Sequence, residues 1–208
     1  MSLKTLLFPD RCVFCDEPVP SGIYCCSRCE KAAGPAGGPA RSLAVSPYPS
    51  LAVFRYQGGA RQAVHRMKFR GDLRAAEYFT KRMATLLLET SPDLPFDLIA
   101  FVPMQPVREK QRGYNQAEVL ARGISRETGL PVRDLLLRQG TFIQHQLSAS
   151  FRHKSAPLSF RARPEVSLSG ERVLLVDDVV TTGSTALACA DLLMELGASG
   201  VTVISAAR

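Results

Sequence analysis

The chain has 208 residues, of which 46% are hydrophobic, which is enough for one main folded domain with a small appendage. No stretch approaches the roughly 18 to 20 apolar residues of a membrane span, and the apolar run at residues 5–8 is too short for the core of a signal peptide. We therefore expect a cytoplasmic protein that does not insert into membranes. The formal charge of +7 favours an anionic partner, either a polyphosphorylated metabolite or a nucleic acid.

The positive charge is concentrated in two zones. Residues 55–82 carry eight Lys or Arg against two acids, and residues 135–164 contain no acid at all. A solvated basic face is the alternative interpretation of the first zone, whereas an acid-free stretch of this length is the stronger indication of an anion. The candidate nucleic-acid-binding residues in the first zone are Arg61, Lys68 and Arg70.

Four cysteines near the N-terminus have metal-ligand spacing. Cys12 and Cys15 are two residues apart, and after ten intervening residues Cys26 and Cys29 repeat that spacing. Two thiolate pairs at this separation are typical of a structural Zn²⁺ site, which a segment of about 30 residues needs because its core is too small to be stable alone. A disulfide or redox role is the alternative. Cys25 adjoins Cys26, and the regular spacing favours Cys26 as the ligand.

The composition then predicts where the domains divide. Residues 1–31 form the four-cysteine zinc-binding module, and residues 32–41, rich in Gly, Ala and Pro, form a linker. Residues 42–208 form the main domain, of which 42–95 are a hood with basic helices and 96–208 are the core.

The hood begins with two short strands, residues 43–45 and 51–56, which we expect to form a hairpin. Residues 60–69 form a helix with an apolar stripe beside a basic one, and His65 belongs to the solvated face rather than to a ligand or catalytic set. Asp72 then caps a second helix that extends to about Leu88.

The core alternates strands with helices. We expect strands at residues 98–102, 132–137, 173–176 and 201–205, a connector at 103–114, a helix that Asn115 caps and Gly129 ends, and a helix at 184–196. A long basic loop covers residues 139–165. Alternation at this spacing predicts an α/β fold with a parallel sheet flanked by helices.

One stretch, residues 172–185, carries the chemistry. A short apolar strand ends at Asp177 and Asp178, where a parallel strand delivers side chains into the crevice at its carboxyl edge. Small residues then lead into a helix, an arrangement that suits a phosphate. Two acceptors for sugar hydroxyls beside a phosphate cradle indicate a ribose 5-phosphate ligand. A Walker B strand or a receiver-domain strand is the alternative, but the chain has no G-x-x-x-x-G-K-[ST] motif and few residues follow the acids.

The acid pair followed by Thr181-Thr182-Gly183-Ser184-Thr185 resembles the phosphoribosyl pyrophosphate (PRPP) signature of the type I phosphoribosyltransferases. Three further segments, all behind the four-cysteine head, resemble the ComF family over essentially the whole chain. These are residues 98–103, Arg112-Gly113-Tyr114-Asn115-Gln116, and Gln144-x-x-Leu147-x4-Arg152. The resemblance implies the type I phosphoribosyltransferase fold with a small N-terminal zinc finger.

The resemblance also implies residue roles. Asp177 and Asp178 hold the ribose hydroxyls, directly or through water on Mg²⁺, and act as the catalytic pair, while residues 181–185 hold the 5-phosphate. The loop after Pro103 takes the pyrophosphate, and the 139–165 loop closes over the ligand. The implied PRPP-binding residues are Met104, Gln105, Arg108, Arg112, Arg152, Asp177, Asp178, Thr181, Thr182, Gly183, Ser184 and Thr185.

Three functions share such a pocket. The first is a phosphoribosyltransferase that displaces pyrophosphate at the anomeric carbon with an unidentified nitrogenous acceptor. A second is a protein that handles single-stranded DNA during natural transformation, together with protein partners of the competence machinery, as the ComF resemblance implies. The third is a non-catalytic PRPP sensor. The basic zones favour DNA, although aromatics are only 7% of the chain.

Overall fold

The computed structural model describes residues 9–32, 45–139 and 160–208. The expected strand at 43–45 falls partly outside these ranges, as does nearly all of the expected linker. Most of the 139–165 loop, with Arg152, also lies outside the described residues. No helix in the described ranges is long and apolar enough to cross a membrane.

The N-terminal module is a small hairpin followed by a short helix. Strand β1 (Asp10–Arg11) pairs antiparallel with β2 (Pro18–Val19), and helix α1 (Ser27–Ala32) follows. Phe14 packs the module against the main domain. Its ring packs edge-on against Phe54 at 5.5 Å and Tyr78 at 5.6 Å between ring centroids. The module therefore shares the core of the main domain.

The main domain contains six strands and five helices among the described residues. In chain order these are β3 (Ser50–Phe54), α2 (Gly58–Arg70), α3 (Leu73–Thr90), β4 (Leu98–Phe101), α4 (Pro106–Arg112), α5 (Gln116–Thr128), β5 (Leu136–Arg138), β6 (Phe160–Ala162), β7 (Arg172–Val179), α6 (Ser184–Glu195) and β8 (Gly200–Ala207).

Four of these strands form a parallel sheet in the order β3-β8-β7-β4. Strand β7 is central, and its residues 173–176 are fully buried between neighbours on both sides. Helices α3 and α5 pack against each other and the sheet, and α6 contacts β7 and β8. The predicted α/β fold with a parallel sheet is confirmed.

Local signals in the sequence set the helix boundaries. The Asp72 carboxylate accepts the N–H of Ala75 at 3.0 Å at the start of α3, and Asn115 accepts the N–H of Ala117 at 3.0 Å at the start of α5. Helix α5 ends at Gly129, whose φ of 78° is left-handed backbone that glycine adopts without steric cost. Both predicted caps are therefore present.

Three local expectations differ from the structure. The expected N-terminal hairpin of the hood is absent from the described residues, because β3 pairs in parallel with β8, with Ser50 beside Val203. The expected connector at 103–114 contains α4, since Pro106 occupies its first turn, where a missing N–H costs nothing. The expected strand at 132–137 is shorter: only Val132 bridges the main sheet, and β5 pairs antiparallel with β6.

Candidate functional site

The candidate site lies at the carboxyl edge of β7. Asp177 is buried there, beside Ser205 of β8, and its carboxylate oxygen Oδ1 accepts the backbone N–H of Asp178 at 2.8 Å. The side chain of Asp178 is 13% exposed. Two adjacent carboxyl groups are thus held in a mostly desolvated pocket at the sheet edge where ligands of open α/β sheets bind.

Helix α2 supplies a cation to this pair. The Lys68 Nζ lies 2.9 Å from Asp178 Oδ2, and the lysine side chain is 22% exposed. Sequence reasoning assigned Lys68 to a nucleic-acid face with Arg61 and Arg70, whereas the structure places it on the acid pair. Helical spacing in the sequence could have indicated this contact, because position 68 lies four residues after the fully buried Val64 and so borders the inward face of α2.

The two acids differ in their electrostatic surroundings. Burial raises the pKa of Asp177 most, and the neighbouring charge of Asp178 adds to it, so that the pKa reaches about 8. The N–H of Asp178 and the positive charges of Lys68 and Arg138 act in the opposite direction without outweighing burial. Asp177 therefore carries a proton over much of the neutral range, while Lys68 neutralises Asp178.

The turn after β7 leads directly into α6. Gly183 is the N-cap, with a φ of 78°, and the hydroxyls of Thr182 and Ser184 lie 3.1 Å apart beside it. Because glycine has no side chain, this N-cap offers no capping oxygen, and an external anion can take that place at the positive end of the helix dipole. Thr181, Thr182 and Ser184 are exposed and Thr185 is half-buried, so the turn is accessible.

The segment after β4, which includes α4, contacts helix α2. Asn115 donates through Nδ2 to the carbonyl of Val102 at 3.0 Å, and the hydroxyl of Tyr114 donates to the carbonyl of Met67. Met104 and Gln105 are half-buried at the start of α4. The loop is therefore tied both to the sheet and to α2.

The two arginines of α4 are placed differently from each other. Arg108 is exposed, whereas the guanidinium of Arg112 lies 4.7 Å from the centroid of the Phe69 ring and donates to Gln116 Oε1 at 3.1 Å. Arg112 thus contacts the hood rather than the acid pair. The structure brings Asp177, Asp178 and residues 181–185 together on one strand and turn.

The four predicted cysteine ligands converge. The sulfur atoms of Cys12, Cys15, Cys26 and Cys29 all lie within 4.8 Å of one another, and those of Cys15 and Cys26 are 3.8 Å apart. Tetrahedral coordination at about 2.3 Å from metal to sulfur separates the ligands by about 3.8 Å, so the donor set fits a metal ion.

The backbone supports this cluster. Burial acts to raise the pKa of Cys12, but hydrogen bonds from the N–H groups of Cys15, Cys26 and Phe14 outweigh it and lower the pKa to about 6. The N–H of Cys26 lies 3.4 Å from Cys12 Sγ. Cys25 stands outside the cluster, because its thiol is turned to the carbonyl of Cys26 at 3.4 Å. The structure therefore agrees with the regular spacing in selecting Cys26.

Comparison with known proteins identifies the family. The model of the family described as phosphoribosyl transferase domain matches residues 71–207. The DNA utilization protein YhgH of Salmonella typhi is 31% identical over 200 residues, which cover 92% of this chain and 87% of that protein. The competence protein ComFC of Bacillus subtilis is 30% identical over 145 residues, 70% of this chain and 58% of that protein.

A solved adenine phosphoribosyltransferase from Thermoanaerobacter pseudethanolicus is also similar, with 20% identity, a TM-score of 0.42 and coverage of 65% of this chain and 81% of that chain. The family assignment rests on the sequence matches instead. The parallel sheet, with a carboxylate pair and a turn into a helix at its carboxyl edge, agrees with the phosphoribosyltransferase class that the family match gives. The chain belongs to the phosphoribosyl transferase domain family, and its relatives and four-cysteine cluster place it in the ComF family.

Proposed function

We propose that this protein binds PRPP with Mg²⁺ at the carboxyl edge of β7 and acts in the handling of single-stranded DNA during DNA uptake. The observation that carries the PRPP proposal is the continuity of Asp177 and Asp178 with the turn at residues 181–185. Acceptors for ribose hydroxyls and a phosphate-binding helix N-terminus lie on one strand and turn, as a ribose 5-phosphate requires.

The proposed contacts follow from this placement. Asp177 and Asp178 accept the ribose hydroxyls or water on Mg²⁺, because carboxylate oxygens suit this hard cation. Residues 181–185 surround the 5-phosphate. Backbone groups of Met104 and Gln105, with Arg108 or Arg112, serve the pyrophosphate. The role of Arg152, which lies outside the described residues, rests on the family resemblance instead: it closes over the ligand.

Ligand binding has an electrostatic consequence in this proposal. An ionised Asp177 accepts ribose hydroxyl hydrogens or binds Mg²⁺ more strongly than the protonated acid does, so ligand binding favours loss of its proton, and Lys68 must share Asp178 with the ligand or release it. Because the pKa of Asp177 is about 8 without ligand, affinity should strengthen as the pH rises from 6 to 8. Calorimetry in two buffers of different ionisation enthalpy should show proton release near pH 7.

The DNA role is supported by the names of the relatives, a DNA utilization protein and a competence protein, and by the two basic zones of the chain. Basic residues of these zones that form no ion pair with an acid of the protein would neutralise phosphates, in the manner of nucleic-acid-binding proteins. We place the protein in the cytoplasm, with protein partners in the competence machinery.

A phosphoribosyltransferase reaction is the second candidate, favoured by the family match over residues 71–207. A nitrogenous acceptor would form a bond to the anomeric carbon as the bond to pyrophosphate breaks, and the basic groups would stabilise the departing pyrophosphate. A PRPP sensor would bind the same ligand without turnover. An acceptor screen that follows pyrophosphate release separates the two.

We further propose that the metal of the four-cysteine cluster is Zn²⁺ and that its role is structural, since four thiolates leave no open position for a substrate. Elemental analysis should find one equivalent of zinc. Cys26→Ser should lose most of the metal, because it removes a ligand. Cys25→Ser is the matched control and should retain it, and equal loss in both variants would contradict the assignment.

The PRPP site is tested by calorimetry with Mg²⁺ and PRPP. Replacing both Asp177 and Asp178 by asparagine keeps their volume and prevents either side chain from becoming a carboxylate. We expect affinity to fall by about 100-fold or more, because charge-assisted hydrogen bonds are worth about 1.5 to 3 kcal/mol each. Asp93→Asn, an exposed carboxylate in the loop before β4, is the control. Unchanged affinity in the double variant would remove the site assignment.

A further inference from the structure

The outer face of α2 carries a groove that the PRPP proposal does not use. It has a volume of about 450 Å³. Its lining is basic and polar, and consists of Gly58, Arg61, Gln62, His65, Arg66 and Arg70. Arg66 is held by Asp72 at 3.4 Å and by the carbonyl of Val13. Among the described residues, Arg61 and Arg70 form no ion pair, so both guanidinium groups are available to an anion.

An exposed aromatic side chain lies next to this groove. Phe69 is 59% exposed, and its ring centroid is 4.5 Å from that of His65, with 42° between the ring planes. The guanidinium of Arg112 lies 4.7 Å from the same ring. An exposed phenylalanine contributes little to the core, whereas planar groups gathered at the surface are the kind of platform on which nucleobases stack.

The spacing along the helix joins the platform to the cations. Positions 61, 65 and 69 recur every four residues, so they share one face and advance by about 6 Å per step along the axis. The His65 and Phe69 rings on this face are in contact, with 4.5 Å between their centroids, so together they form one stacking surface. The base faces of a duplex are covered by neighbouring base pairs, whereas an unpaired strand can offer its bases to this surface, which favours a single strand over a duplex.

We propose that the outer face of α2 binds single-stranded nucleic acid, with bases stacked on Phe69 and His65 and phosphates held by Arg61 and Arg70. This inference rests on the proposed DNA-handling function and names its surface and its mode of contact. Lys68 is not part of this surface, because its ammonium group is bound to Asp178 on the inner side of the helix. The strand and the ribose-phosphate ligand therefore contact different residues of α2.

The test measures fluorescence anisotropy of a labelled oligothymidylate with the full-length, metal-loaded protein. Phe69→Leu keeps an apolar side chain and removes the ring, and we expect affinity to fall by about 5- to 150-fold, the range that loss of one base stack produces. Phe69→Trp should retain affinity, because the stacking surface remains. Leu88→Ala, a change at another exposed apolar residue, on α3, should have no effect.

Salt dependence tests the cations separately. Arg61→Gln and Arg70→Gln should each reduce the slope of log affinity against log salt by about 0.7, whereas Phe69→Leu should leave that slope unchanged. A duplex of the same sequence should bind more weakly than the single strand. An oligouridylate should bind comparably, since the platform contacts base faces rather than sugar hydroxyls.

The outcomes distinguish this inference from the function on which it rests. If the wild-type protein binds the oligonucleotide but Phe69→Leu binds equally well, the surface is wrong and the DNA role stands. If the wild-type protein does not bind the oligonucleotide, both the proposed surface and the proposed DNA role are wrong. Preference for the duplex would also overturn the stacking mode. Calorimetry of Arg61→Gln with Mg²⁺ and PRPP should match wild type, because Arg61 lines the outer groove and is not among the proposed PRPP contacts.

Discussion

Replacing Asp177 by asparagine should stabilise the ligand-free protein, and the stabilisation should grow with pH. Burial, followed by the charge of Asp178, raises the pKa of Asp177 to about 8, whereas an aspartate in the unfolded chain titrates near 3.9. The folded state thus favours the protonated acid. Its free energy of unfolding therefore falls as the pH rises from about 4 to about 8, and the loss is complete above that range.

The magnitude follows from the width of the window. At about 1.4 kcal/mol per pH unit, the interval from pH 5.5 to pH 8 allows a change of up to about 3 kcal/mol. Asparagine has no proton to lose, and its amide oxygen keeps the acceptor for the N–H of Asp178. We expect the stability difference between Asp177→Asn and wild type to grow by about 2 to 3 kcal/mol across this interval.

Urea denaturation of the metal-loaded protein at pH 5.5, 6.5 and 8 measures this difference directly. Metal and thiol chemistry affects the variant and the wild type equally, so it cancels in the comparison. Asp93→Asn removes an exposed carboxylate and should follow the wild-type curve at every pH. Parallel curves for Asp177→Asn and wild type would refute the raised pKa and the buried site that causes it.

Two further changes test the packing around the site. Lys68→Met keeps the aliphatic stem but leaves Asp178 without its ion-pair partner. It should lower the free energy of unfolding by about 1 to 3 kcal/mol, which lies between the values for exposed and for buried ion pairs. An unchanged urea midpoint would show that the ion pair is not formed. Gly123→Ala would place a methyl group 2.5 Å from Thr80 Oγ1 and should cost about 1 to 3 kcal/mol in thermal or urea unfolding. Adding Thr80→Ala should recover part of that loss, and no recovery would contradict the predicted steric cause.

Helix α2 has a different neighbour on each side. Lys68 is bound to the acid at the sheet edge, whereas Phe69, the next residue, is exposed and lies beside Arg112 from α4. Tyr114 adds a hydrogen bond from the following loop to the carbonyl of Met67. The proposed nucleic-acid surface and the proposed pyrophosphate loop therefore contact the same turn of one helix.

The cysteine module is joined to the hood by side chains as well as by the chain. Arg74 of α3 lies 3.0 Å from Asp10, and the hydroxyl of Tyr24 donates to Glu77 at 2.5 Å. Gly59 has space only for hydrogen, because a Cβ there would lie 2.8 Å from the Cβ of Phe14. This close approach fixes the module against the N-terminal end of α2.

The sequence alone determined the features that depend on neighbouring residues. The cysteine spacing, the caps at Asp72 and Asn115, and the order of strand, acid pair and turn at residues 172–185 are each contained in a few consecutive positions. Their geometry is set by local backbone preferences and hydrogen bonds, so a pattern along the chain is sufficient to predict them. The α/β fold followed because strands and helices alternate.

Only the tertiary structure decided which distant residues meet. The pairing of β3 with β8, the contact of Lys68 with Asp178, and the placement of Phe69 beside Arg112 each join segments that are far apart in the chain. Helical periodicity predicts that Lys68 and Arg61 lie on the same basic stripe. In the structure, Lys68 contacts Asp178 at the sheet edge, whereas Arg61 lines the outer groove. Side-chain direction within a stripe depends on how the helix packs, and a single sequence does not contain that information.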